Sequence, residues 1–448
     1  MESNQMQSKT EVGYGRVSII PDYPVAIAGS AAKRISEGVM DPIYLTCIAF
    51  RQEKEAYLIY TMDLVGSYEE FTEPVRLQIS KATGIERDHI LLNGTHTHSS
   101  VSARDVENVG IARYREDFCA WAIEAAQMAL EDPSPAEASF GSMQTQGMVW
   151  MRHYKMADGS FAGANYGSFK NSTIVGHAGE ANGEMQLIRF HRGAYGKKDV
   201  VLMNFPAHGT INGSSIQLSA DFPGPARDYV AEKTDTLVAY FIAGAGDQVP
   251  TSRIPEENFS RDYRVYGEEV GRLAVETLKQ MVPAEGTDFR FLRRAVVCNS
   301  NKADLDRAEE AVEVSKIWKQ VGGRGTKEGR EAAKAHGFSS VYEVTAILNR
   351  MKFDETRTLE LYALAIGNIS MIFAPYEMFG ASATQIKRDS PFDMTFIVSC
   401  SQNNAGYLPD EFGWFLRCYE AQITKVERGT AEKLVKEYVD MLEEIKRS

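Results

Sequence analysis

The sequence predicts an α/β protein with a layered mixed β-sheet core covered by helices. Apolar, β-rich runs recur along the 448 residues, each closing in a polar or glycine-rich cluster. Amphipathic helical stretches lie between these runs. The composition, 44% hydrophobic and 25% charged with 15 prolines, is that of an ordinary globular protein with material for a substantial core. Alternation of the two element types gives layered sheets, in which ligands collect beyond the carboxyl ends of strands.

In chain order, the run 56–65 carries Asp63, and 89–93 leads into Thr95-His96-Thr97-His98-Ser99. The run 200–205 leads to Pro206-Ala207-His208-Gly209-Thr210, and 237–243 leads to Gly244-Ala245-Gly246-Asp247. The run 369–374 leads to Pro375-Tyr376-Glu377, and 395–400 leads to Gln402-Asn403-Asn404-Ala405-Gly406-Tyr407. Such near-continuous apolar runs fit strands covered on both faces. Helical periodicity covers 74–82, 113–130, 225–233, 263–281 and 431–445. Residues 301–352 are charged and helix-prone around the turn Gly322-Gly323-Arg324-Gly325, and are expected to form a helical insertion or lid. No repeat or linker divides the rest, so one compact unit spanning 1–448 is expected.

A formal net charge of −12 argues against non-specific binding to nucleic acid or to an anionic membrane. The five cysteines are odd in number and none is spaced as CxxC, which disfavours a disulfide framework or a zinc knot. No apolar segment opens the chain and none approaches the ~20 residues of a membrane span, so a soluble cytoplasmic protein is expected.

Eight histidines are present, and two stand one residue apart at His96 and His98. On a strand, positions i and i+2 share a side, which would bring both imidazoles to one spot at the strand's end. Neutral imidazole binds divalent metals and also titrates near neutrality, so the pair suits two ligands, or a ligand beside a proton-transfer group. His208 alone would more often be a satisfied hydrogen-bonding residue than a ligand. Glu377, after Pro375, reads as an acid in the first turn of a helix, favoured there by the helix dipole. Tyr407 alone is a turn aromatic, and Asp221 shapes the turn into the helix at 225. The HExxH, GxSxG and GxxxxGK[ST] signatures are absent. Gly244-Ala245-Gly246 has Val249 where a third small residue of a dinucleotide loop belongs, and a plain tight turn is the better reading. The match at Gly13-Tyr14-Gly15-Arg16 is weaker still.

Together these segments resemble the neutral/alkaline, non-lysosomal ceramidase family of zinc-dependent amidases. The resemblance runs from Gly15-Arg16 and Asp41-Pro42-Ile43-Tyr44 through Asn93-Gly94-Thr95-His96-Thr97-His98-Ser99, its most specific element. It continues through Ala207-His208-Gly209-Thr210, Ser219-Ala220-Asp221-Phe222-Pro223-Gly224, Ala245-Gly246-Asp247, Pro375-Tyr376-Glu377 and Ala405-Gly406-Tyr407. It implies a ceramidase-like catalytic domain holding one Zn2+ per chain on His96, His208, Glu377 and Tyr407, with His98 as the proton-transfer residue. It places a further catalytic tyrosine at Tyr419, followed by Glu420, and the active-site arginine at Arg152 in Val149-Trp150-Met151-Arg152. The expected substrate is an N-acylated small molecule.

This inventory suits amide hydrolysis. Two imidazoles, a carboxylate and a phenol leave zinc room for a water, whose pKa zinc lowers to about 7. His98 is placed to move protons, and Arg152 and Tyr419 to stabilise a developing oxyanion. Two departures bear on the substrate: Val249 replaces the family's serine before Pro250, and the chain is expected to lack the family's C-terminal immunoglobulin-like domain. An esterase, or a non-catalytic metal- or ligand-binding member, would share the same ligands.

Overall fold

Three β-sheets, each backed by helices, enclose one central apolar core. The computed structural model describes residues 10–29, 33–104, 106–170, 172–402 and 404–448. Most of the chain's polar start and Asn403 of the turn before Tyr407 lie outside the described residues.

The first sheet runs, edge to edge, through Ile90–Gly94, Glu55–Met62, Tyr44–Gln52, Glu11–Ser18 and Ser134–Pro135. The second runs through Leu237–Ile242, Val200–Phe205, Glu184–His191, Glu137–Gln144 and Val282–Pro283. The third runs through Phe289–Asn299, Thr356–Ile366, Ile369–Phe373 and Met394–Val398. All three are mixed, and each carries one parallel pair at an edge: Glu55–Met62 with Ile90–Gly94, Val200–Phe205 with Leu237–Ile242, and Ile369–Phe373 with Met394–Val398. The α/β class expected from the alternation is therefore found.

Inner faces of all three sheets meet in one cluster that includes Phe50, Leu91, Leu202, Phe241, Phe373 and Phe396. Outer faces are covered by helices. Glu69–Thr83 and Ile111–Glu131 cover the first sheet, Pro223–Thr234 and Tyr263–Leu278 the second, and Gly380–Asp389 and Thr430–Arg447 the third. Strands covered on both faces must be apolar at nearly every position, as in Val200–Phe205, where all six residues are buried. The Gly13-Tyr14-Gly15-Arg16 segment lies inside the strand Glu11–Ser18 and has nothing to do with a nucleotide loop. Its glycines let the helix Ile111–Glu131 press onto the sheet: a Cβ on Gly13 would stand 1.9 Å from the carbonyl oxygen of Ala129.

The segment 301–352 folds as expected into helices, Ala308–Gln320, Lys327–Ala335 and Val341–Arg350. They sit in the connection between Phe289–Asn299 and Thr356–Ile366, which pair in continuous register up to Asn299 opposite Thr356. The unit has its own small apolar cluster around Trp318, Phe338 and Ile347. It reaches the rest of the molecule where Tyr342 meets Tyr419 edge-on at 5.0 Å.

One buried ion pair bolts the first sheet to the helices of the second. Asp63, just past the strand Glu55–Met62, takes both arms of Arg227 at 3.2 and 3.1 Å and accepts from the Tyr44 N–H at 2.8 Å. Both side chains are buried. Removing one partner leaves the other charge unpaired in a desolvated setting, which costs about 3–5 kcal/mol. Asp63→Ala is expected to lower unfolding free energy by about that amount in urea titration, and a loss below about 1 kcal/mol would contradict it.

Candidate metal centre

The parallel edge pairs of the three sheets end together, and the loops beyond them build one site. His96 and His98 follow Ile90–Gly94, and His208 follows Val200–Phe205. Glu377 follows Ile369–Phe373, and Tyr407 follows Met394–Val398. Two expectations about local structure are corrected. The strand ends at Gly94, so His96 and His98 are not on a pleated face; His96 takes a left-handed backbone, φ 67°. The rings converge because the chain turns, not because of strand alternation. Glu377 is not in a helical turn either. It occupies the two-residue strand Glu377–Met378, parallel to Tyr407–Leu408, and the following helix begins at Gly380. This pairing places Glu377 directly beside Tyr407.

Each imidazole is oriented by a backbone carbonyl. His96 Nδ1 lies 2.5 Å from Val65 O, His98 Nδ1 3.1 Å from Gly29 O, and His208 Nδ1 3.0 Å from Gln248 O. A carbonyl only accepts, so each Nδ1 carries a proton and donates it. The three Nε2 atoms therefore turn inward. His96 Nε2 lies 3.2 Å from His98 Nε2, and Glu377 Oε2 lies 3.2 Å from Nε2 of both His96 and His208. The nitrogens of His96, His98 and His208 all fall within 4.8 Å of one another. Gly29 permits the approach of His98, since a Cβ there would stand 2.5 Å from the imidazole.

Electrostatics follow from burial and proximity. Burial, then the charges of His96 and Arg152, push His208 down to about 4. Burial and the neighbouring imidazoles hold His98 well below the usual histidine range. Burial would raise the Glu377 carboxyl, but His96 and His208 outweigh it and hold the carboxylate well below its ordinary range. Burial opposes charge on His96, but Cys400 and Glu377 outweigh it and hold the imidazole well above the usual histidine range. With Nδ1 protons committed outward, loss of the proton that His96 Nε2 shares with Glu377 leaves imidazole lone pairs and an acceptor-only carboxylate facing one another. That donor set suits a divalent cation. Tetrahedral zinc with N and O ligands at about 2.0–2.1 Å has ligand–ligand edges of about 3.4 Å, close to the separations seen. The carbonyl-to-Nδ1 bonds are of the kind that hold metal-ligating histidines in place.

The remaining expected residues border this centre. Arg152 Nη1 lies 3.4 Å from His208 Nε2, and its guanidinium sits 5.2 Å from the centroid of the Tyr407 ring. Tyr419 stands 5.9 Å, ring to ring, from Tyr407. Thus His96, His98, His208, Glu377, Tyr407, Arg152 and Tyr419 come together from segments up to 323 positions apart, counting from 96 to 419. Distances alone give His98 the same standing as the other two histidines. Val249 pairs with Trp150, two residues before Arg152, and so lies at the edge of the site. The carbonyls of Gly29, Val65 and Gln248 carried no signal in the sequence, because backbone atoms orient the rings whatever side chain is attached. A further buried group of His153, Cys418 and Glu420 lies beyond Arg152 and was not expected as a unit.

The fold is similar to that of solved ceramidases. The chain superimposes on the neutral ceramidase from Pseudomonas aeruginosa with a TM-score of 0.72 at 15% identity, over 97% of this chain and 74% of that one. A ceramidase complexed with C2 matches with a TM-score of 0.72 at 14% identity, over 97% and 75%. No protein-family model matches, and no curated protein matches by sequence. Among the described residues no helix is long and apolar enough to cross a membrane.

A zinc titration followed by metal analysis is expected to load one ion per chain. His208→Ala and Glu377→Ala are expected to lose stoichiometric zinc. Full zinc content in either variant would show that the ion, if any, sits elsewhere.

Proposed function

We propose that this chain is a zinc-dependent hydrolase of a carbon–nitrogen acyl bond, one catalytic unit carrying the 301–352 insertion. The observation that carries the reading is the convergence of imidazole Nε2 atoms on the Glu377 carboxylate, with the Arg152 guanidinium alongside. The likeness in fold to ceramidases supports it.

His96, His208, Glu377 and Tyr407 are the ligands in this reading. When bound, zinc supplies Lewis acidity and lowers the pKa of a coordinated water to about 7. The chain's own groups do the rest. Val65 and Gln248 hold the rings of His96 and His208 against rotation. His98, which is only partly buried, has Nδ1 tied to Gly29 and Nε2 turned towards His96 Nε2 at 3.2 Å. It accepts the proton of the attacking water and returns it to the leaving nitrogen as the carbon–nitrogen bond breaks. A carboxylate and an amine result. Arg152 and Tyr419 donate towards the carbonyl oxygen as negative charge gathers on it. The phenol of Tyr419 stays protonated, because burial raises it above its ordinary value.

The substrate is an N-acylated small molecule other than ceramide. Val249 supports this assignment: its apolar side chain replaces a hydrogen-bonding serine at the edge of the site, beside Trp150. An ester would be attacked by the same groups, so N-acyl and O-acyl compounds belong in one panel.

Chelation is expected to abolish hydrolysis across that panel, and zinc to restore it. His98→Ala is expected to keep its zinc while kcat falls about 10²–10⁴-fold, the usual worth of a general acid–base group. Unchanged kcat in zinc-replete His98→Ala would remove the proposed proton carrier, and zinc loss would make His98 a ligand instead.

A further inference from the structure

Behind Arg152 lies the second buried polar group, to which the hydrolytic reading gives no task. Glu420, in the short helix Tyr419–Ile423, is 0% exposed and forms an ion pair with Arg152 Nη2. His153 Nε2 stands 3.7 Å from the other oxygen of Glu420, and Cys418 offers its sulfur to the same point. Neither ring nitrogen of His153 has a hydrogen-bond partner.

Two uses compete for such a group: a second cation site, or a charged anchor for Arg152. Three observations favour the anchor. The charge of Glu420 is already balanced by the guanidinium in contact with it. Burial pushes the Cys418 thiol well above its ordinary range, which disfavours a thiolate at this point. A cation here would also stand one carboxylate's width from Arg152 in a desolvated interior, where like charges are costly. The guanidinium is planar and rigid, so gripping one edge aims the other. The gripped edge is Nη2, and the other arm, Nη1, is the one 3.4 Å from His208 Nε2. Among the described residues Glu420 is the one carboxylate paired with Arg152.

We infer that Glu420 is a positioning residue: from inside the fold it holds Arg152 so that Nη1 is directed into the metal centre, where it meets the carbonyl oxygen of the acyl group. This rests on the hydrolase reading and adds to it the residue that sets the direction of its anion-stabilising group. His153 and Cys418 pack behind the carboxylate and keep water from it. Water would loosen the pair by screening it.

A double-mutant cycle in zinc-loaded protein tests this, with Arg152→Met, Glu420→Gln and the two combined. The readouts are kcat and KM on the best substrate of the acyl panel, octanoate affinity by calorimetry, zinc content and melting temperature. Each single variant is expected to lower kcat about a hundredfold, with KM moved less than about threefold. Octanoate affinity is expected to fall about tenfold in each, from loss of an aimed guanidinium–carboxylate contact. The combined variant is expected to match Arg152→Met in both readouts, because Glu420 has no effect once its client is gone. Zinc content should stay at one per chain throughout.

Losses that multiply, or a Glu420→Gln protein with unchanged kcat and octanoate affinity, would overturn the inference. So would a second zinc that disappears in Cys418→Ser, or a wild-type protein that does not bind octanoate. If Glu420→Gln alone does not fold, the combined variant, which buries no unpaired charge, is compared with Arg152→Met: equality supports the inference and a further loss overturns it. A wild-type protein that turns over nothing in the panel sinks the hydrolase reading, while the octanoate cycle still decides what Glu420 does.

Discussion

Everything at this site depends on the three sheets being stitched together at their strand ends. The stitches are backbone hydrogen bonds, one for each pair of sheets. Gly94 N–H donates to Cys400 O at 3.1 Å, Ser399 N–H to Ile242 O at 3.0 Å, and His98 N–H to Gly209 O at 2.8 Å. Buried side chains add to them: Asn204 Nδ2 donates to Ile397 O at 2.8 Å and to Phe241 O at 3.2 Å, and Thr61 Oγ1 to Tyr240 O at 2.5 Å. Buried backbone polar groups must be paired, so where three sheets end together their last carbonyls and amides have no partners except one another. The loops that leave this junction carry the side chains of the candidate site and inherit its rigidity.

Rigidity matters because the centre presents its donor atoms to one another only while they are held at short separations. Glu377 Oε2 is held 3.2 Å from Nε2 of both His96 and His208, and His96 Nε2 3.2 Å from His98 Nε2, near the edge of about 3.4 Å in a tetrahedral zinc shell. Flexible loops would relax that arrangement. Carbonyls at Val65, Gly29 and Gln248 prevent the rings from turning away, and each belongs to a different neighbouring segment. Arg152 is held on the same principle, by a carboxylate on its far side. The three histidines and Arg152 of the candidate site are thus each held from behind.

Much of the fold was legible in the chain. The apolar runs at 200–205, 237–243 and 369–374 were found within a residue of the strands they became, because strands buried on both faces show as unbroken hydrophobic segments. The helices at 113–130, 263–281 and 431–445 were legible for a similar reason: one face of each is pressed on a sheet. Strands with one weaker face, such as Glu137–Gln144 with its polar and small residues, gave no such signal. The residues that gather at the candidate site were named by resemblance, but their local settings were not legible. The strand logic applied to His96 and His98 fails at Gly94, and Glu377 sits in a strand that exists only because Tyr407–Leu408 lies beside it.

Sequence by itself determined the fold class, the most deeply buried strands with several of the helices beside them, and the residue types gathered at the candidate site, since periodicity and residue chemistry are local properties. Tertiary structure alone decided which atoms face one another. The tautomer of each histidine is set by a carbonyl distant in sequence, the direction of Arg152 by Glu420 some 268 positions later, from 152 to 420, and the backbone of Glu377 by a two-residue parallel bridge. These are long-range hydrogen bonds and ion pairs, whose partners are chosen only when the three sheets close on a common core. No local pattern encodes them.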